Sequence, residues 1–162
     1  MVSYFTLVCC ESARRRHPIN LIILAIFTCA LSVMAGAISC IHATNSVLLA
    51  AGICTACCLS VTVVSLNTKF DITSYTSVLL VAAVGLMIFG VVMIFVQSPI
   101  MHKVYAGLGA LVFMAFLAFD TQLLLGNKYL QISPDDYVLA TIQLYVDIVQ
   151  IFLFLLQLTD DR

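Results

Sequence analysis

The chain has 162 residues, of which 63% are hydrophobic and 9% charged, with a mean hydropathy of +1.15. Seven basic and eight acidic residues leave a formal net charge of -1, which excludes a nucleic-acid footprint, and the apolar excess excludes intrinsic disorder. A globular domain carries about one-quarter charged residues, so this chain cannot coat a water-soluble particle and reads as a multi-span, all-α membrane protein.

Residues 1–10, MVSYFTLVCC, open the chain as an apolar segment only about 15 Å long if helical. That is half a span. It lacks the basic leading region of a signal peptide, since the charges follow it. It reads as the inner half of a helix whose beginning is absent, so an N-terminally truncated chain is expected. Five further runs approach the roughly 20 apolar residues that a crossing helix needs: 19–41, 46–66, 77–96, 104–125 and 137–158. Short polar segments separate them, and the whole reads as one transmembrane domain. Seven cysteines (Cys9, Cys10, Cys29, Cys40, Cys54, Cys57 and Cys58) lie in or beside these runs. There they act as small hydrophobes, and the CxxC of Cys54 and Cys57 lacks the second pair or His cluster of a zinc site.

Basic residues in short loops set orientation. Arg14, Arg15, Arg16, Lys69 and Lys128 fall on one side if every run crosses once, against Lys103 and Arg162 on the other. The Arg14–Arg16 side is expected to be cytoplasmic. A re-entrant last helix would instead return the C-terminus to that side.

Ionisable groups inside hydrocarbon are costly and are functional candidates by default. Asp120 lies near the cytoplasmic end of the fourth full run, with Gly126 as its stop, and Asp147 lies deep in the fifth. The fifth run is preceded by Ser133 as N-cap, Pro134 at the first helical position, and Asp135 and Asp136 as helix-start acids, not as a metal site. At 100° per residue, Gln143, Asp147, Gln150 and Gln157 share one face. Such a stripe cannot face lipid, so the last helix should be central, lining a hydrated path or holding neighbours by hydrogen bonds. Counted inward from their connection, the two aspartates differ in depth by roughly 7–12 Å. Tilt or stagger that brought them together would make two acids share one proton and titrate as a pair, or recruit calcium through their oxygens.

Small residues (Ala82, Ala83, Gly85 and Gly90 in the third full run, Ala106, Gly107, Gly109 and Ala110 in the fourth) read as close helix packing. His17, His42 and His102 show no metal-ligand spacing. His42 and His102 should share the non-cytoplasmic side, and a pH-sensing role for them is disfavoured.

From FDTQ at 119–122 through ISPDDY and LYVDI, the chain resembles the transmembrane BAX inhibitor motif family, and within it the Lifeguard branch with the glutamate-receptor-associated proteins. CCESARRRHPINL and KVYAGLGALVF resemble the same branch. The resemblance implies a seven-helix fold with the last helix surrounded by the others. On that fold residues 1–10 end the second helix, and the five full runs are helices three to seven. It also implies a pH-sensitive calcium leak across intracellular membranes, in the endoplasmic reticulum or Golgi with the plasma membrane as the alternative, and a dampening of apoptosis. The family's proton-sharing aspartates fall on Asp120 and Asp147, and an arginine latch falls best on Arg14.

The leading expectation is thus a proton-gated calcium leak, with calcium as permeant ion and no cofactor. The alternative is a membrane scaffold that binds apoptosis-regulatory proteins, receptors or full-length family members without conducting ions. Two membrane aspartates also evoke an intramembrane hydrolase, but the YD and GxGD motifs of such proteases are replaced here by Phe119 and Val146 before the acids. No enzyme is expected.

Overall fold

Backbone amides in hydrocarbon must be satisfied within their own segment, and the helix does this for every apolar run. The computed structural model describes residues 19–67, 72–96, 98–125 and 137–160. It is all-helical over those residues: α1 (Ile19–Ile41), α2 (Thr44–Asn67), a 3-10 turn (Ile72–Tyr75), α3 (Thr76–Phe95), α4 (Pro99–Leu124) and α5 (Tyr137–Thr159). All five α-helices are long and apolar enough to cross a membrane. The protein is a multi-pass membrane protein.

The helix that departs most from its expected bounds is α4, which begins five residues before the run at 104–125. Ser98 stands in extended conformation (φ -108, ψ 130) and Pro99 takes the first helical position. The proline ring presets φ and needs no amide there. His102 and Lys103 therefore belong to the first turns of a helix, where Lys103 is exposed and its long stem can reach the membrane surface.

Burial is inverted relative to a water-soluble protein. Large apolar side chains line the outside, with Phe95 82% exposed, while the buried polar set is Ser65, Asp120, Thr121, Gln122 and Asp147. Lipid solvates the former as well as protein would, so only the latter gain from being enclosed. Several hydroxyls on the helices return to their own backbones. Ser39 donates to the Ala35 carbonyl at 2.8 Å, Thr55 to Ala51 at 2.8 Å and Ser60 to Ala56 at 2.7 Å.

The last helix is central. α5 packs most extensively on α4 and also on α2 and α1. Its core joins Ile151, Leu155 and Leu156 to Leu117 and Ala110 of α4 and to Ala50 and Cys54 of α2. A second cluster joins Ile142 to Phe27 of α1, and the hydroxyls of Ser32 and Tyr145 lie 3.1 Å apart across the same pair. The thiol of Cys54 is 3.8 Å from that of Cys58, one turn on, and 3.8 Å from the Ile148 carbonyl. These cysteines pack α2 against α5.

One glycine sets the closest approach. A Cβ on Gly109 would lie 2.6 Å from two ring carbons of Phe154. That ring is held by Tyr105 at 5.5 Å, edge-on, and by Phe113 at 5.7 Å, so it has little room to yield. Gly109→Ala should therefore cost about 1–3 kcal/mol through overpacking. The check is thermal unfolding in nanodiscs: Gly109→Ala lowers the midpoint, and adding Phe154→Ala costs less in that background than in the parent chain.

Candidate functional site

Two carboxyl groups on different helices meet in the buried interior. Asp120, in the last turn and a half of α4, is 9% exposed, and Asp147, midway along α5, is 6% exposed. Their side chains are in hydrogen-bonding contact. Two carboxylates cannot donate to one another, and a hydrogen bond between such groups needs a proton on one of them. The second oxygen of Asp147, Oδ2, is buried and has no hydrogen-bond partner among the described residues.

The meeting is an axial offset. Asp120 is four residues from the end of α4, about 6 Å, whereas Asp147 is ten residues from the start of α5, about 15 Å. For the carboxyls to touch, α5 must begin about 9 Å beyond the level at which α4 stops. This is the stagger that the sequence left open. Gln143 and Gln150, the turns before and after Asp147, are half-buried, and so is Gln157. The structure brings Asp120 and Asp147 together, with the amides as flanks. Arg14 lies outside the described residues, as do Gly126, Ser133, Pro134, Asp135 and Asp136.

The segment around Asp120 is fixed from two sides. Thr121 donates to the Leu117 carbonyl at 2.6 Å, and Ser65 of α2 donates to the Ala118 carbonyl at 2.7 Å. Gln122, 2% exposed, accepts from the Ile72 amide at 2.8 Å and donates to the Ser65 carbonyl at 3.4 Å. Its amide thus serves two backbone groups that helix ends leave unsatisfied: a carbonyl near the end of α2 and the first amide of the 3-10 turn. Sequence reasoning quoted Gln122 within FDTQ but gave it no role, and it passed over Ser65. The available signal was an amide set beside Asp120 at the end of an apolar helix, where burial demands partners.

The far end of α5 is tied differently. His42, in the two-residue turn between α1 and α2, places Nε2 3.4 Å from Oδ2 of Asp160 and Nδ1 2.9 Å from the Ile38 carbonyl. Since Ser65 puts the end of α2 beside Asp120, this turn lies at the opposite end of the bundle. Among the described residues no group of three His, Cys, Asp or Glu side chains is arranged to hold a metal ion.

The sequence has relatives among known proteins. A family model described as inhibitor of apoptosis-promoting Bax1 matches residues 1–162. Protein lifeguard 3 of Mus musculus is 45% identical over 166 residues, covering 100% of this chain and 54% of that protein. The Homo sapiens protein of the same name is 43% identical, covering 100% and 53%. The Golgi anti-apoptotic protein of Vaccinia virus (strain Lister) is 36% identical over 147 residues, covering 91% and 60%. The chain thus spans little more than half the length of these relatives.

Gln122→Leu keeps the bulk of the side chain and strands the Ile72 amide and the Ser65 carbonyl. Leaving buried backbone groups unpaired costs about 1–3 kcal/mol each. Hydrogen exchange should report faster exchange at the Ile72 amide, with little change in the first turns of α5.

Proposed function

The chain belongs to the BAX inhibitor motif family, within its Lifeguard branch, and from that premise we propose that it is an anti-apoptotic membrane protein acting as a pH-sensitive calcium leak. Asp120 and Asp147 form the proton-sharing element of the path. The family description, inhibitor of apoptosis-promoting Bax1, and the name of the viral relative, Golgi anti-apoptotic protein, support the protective role, and the latter an intracellular membrane. The observation that carries the ionic part is the buried carboxyl pair with the unpartnered Oδ2 of Asp147.

The chemistry is a competition for oxygens. With one shared proton the pair is hydrogen-bonded and ties α4 to α5. With that proton gone, two like charges face each other in a low dielectric and either separate or take up a cation. Calcium prefers oxygen ligands, and carboxylates with amide and backbone carbonyls supply them. Gln143 and Gln150 offer such amides on either side, and Arg14 is the candidate latch that would steady an ionised Asp120. The cytoplasmic face is taken to be that of Arg14–Arg16, which puts Asp120 at the cytoplasmic end and the α1–α2 turn at the other. The reading requires no catalysis.

A scaffold reading draws on the same comparisons, since the family description and the name of the viral relative concern apoptosis and not ions. It assigns the carboxyl pair a purely structural role and takes apoptosis-regulatory membrane proteins or full-length family members as partners.

Reconstitution into liposomes with an enclosed calcium dye separates the two. The parent chain should pass calcium at a rate that depends on pH. Asp120→Asn and Asp147→Asn should each abolish the flux or remove its pH dependence. Because calcium and the shared proton compete for the same oxygens, calcium binding should strengthen as pH rises. Unchanged flux and pH profile in both variants would sink the leak reading.

A further inference from the structure

Both ring nitrogens of His42 face acceptors. One is the Ile38 carbonyl, which never donates, and the other is the Asp160 carboxylate. A neutral imidazole has a single N–H, so it can satisfy one of these while turning a lone pair toward the other. Only the imidazolium donates to both at once. The two side chains are 17% and 21% exposed, so the contact is reachable by protons from solvent yet partly sheltered.

The backbones on either side are fixed. The amide of His42 donates to the Ser39 carbonyl at 3.1 Å and that of Asp160 to the Leu156 carbonyl at 3.1 Å. Thr159 donates to the Leu155 carbonyl at 2.9 Å. Among the described residues charge around them is sparse. The last turns of α1, α3 and α5 carry no basic residue, and the first turns of α2 and α4 carry no acidic one. His102 and the cationic Lys103 stand near the start of α4, at the same end of the bundle. Among the described residues, Asp160 is the one ion-pair partner of His42.

We propose that His42 and Asp160 form a proton-dependent clasp that pins the C-terminal end of α5 to the α1–α2 turn, so that acidity at that face, and not only at the Asp120 end, sets how freely the central helix moves. The clasp is closed while the imidazole is protonated and both ring nitrogens donate, and it is weakened once that proton is lost. Asp160, the residue after the end of α5, is thirteen residues from Asp147, about 20 Å along the helix axis. Contacts at either end of α5 thus bear on the same element. The consequence for ion flux rests on the leak reading above, whereas the clasp does not.

The test is a double-mutant cycle with His42→Gln and Asp160→Asn, read as thermal unfolding of the full chain in nanodiscs at about pH 5.5 and about pH 8. A coupling equivalent to a midpoint shift of about 2–4 °C is expected at the acidic pH, and none at the alkaline one. His42→Arg, charged throughout, should keep its coupling to Asp160 at both pH values. Amide exchange over 156–160 in the parent chain should be slower at the acidic pH. Absence of coupling at acidic pH, equal coupling at both, or exchange indifferent to pH would overturn the proposal. Asp147→Asn leaves the clasp intact, so lost flux with retained coupling bears on the leak alone, and lost coupling with normal flux on the clasp alone.

Discussion

The contact between Asp120 and Asp147 is the constraint around which the bundle is arranged. Two carboxyl groups in hydrocarbon are tolerable only if they are enclosed by protein and share a proton. Enclosure requires α5 to be surrounded, and it packs on α4, α2 and α1. It also requires α4 and α5 to approach closely, which Gly109 permits by leaving room for the Phe154 ring. The aromatic chain through Phe89, Tyr105, Phe154 and Phe113 then fills the seam between α3, α4 and α5. Remove the need to bury the acids and little else explains why the helix with the polar stripe lies inside.

Polar ties occur at both ends of the bundle and differ in kind. At the Asp120 end they run from neutral side chains to backbone: Ser65 to Ala118, and Gln122 to Ile72 and Ser65. None of these changes with pH. At the far end the tie is ionic and depends on the protonation of His42. The buried acids are thus framed by a pH-independent support on one side and the proposed clasp on the other. Lipid-facing surfaces contribute no such discrimination, because hydrocarbon offers the outward leucines and valines the same environment whatever the pH.

Spans were legible in the sequence because membrane thickness imposes a minimum apolar length, and each of the five runs meets it. The start of α4 was not, since His102 and Lys103 resemble linker polarity. The Ser98–Pro99 pair carried the helix-start signal that was read at Ser133–Pro134. The acids announced themselves by their cost, and the periodicity of Gln143, Asp147 and Gln150 placed the last helix inside. Whether the carboxyls met could not be read, because it depends on an axial offset of about 9 Å between two helices, and side-chain periodicity encodes rotation, not translation. Gln122 escaped because its partners are backbone atoms of distant segments. His42 and Asp160 escaped because 118 positions separate them and nothing local pairs them.

A bundle held together only by interhelical hydrogen bonds has a cheaper solution than two aspartates. Asparagine or glutamine offers donor and acceptor in one group, and no proton is needed to join a pair of them. An acid pair gains nothing over amides as glue, and it leaves Asp147 with a buried oxygen that has no partner among the described residues. That oxygen has a desolvation cost that mere adhesion does not repay. The feature that distinguishes the acids from amides is that their charge can change, and a change of charge in low dielectric alters the force between α4 and α5 more than any neutral substitution could. The case for a titrating, cation-attracting site therefore stands on what adhesion fails to account for: the choice of carboxyls where amides would have bound more simply.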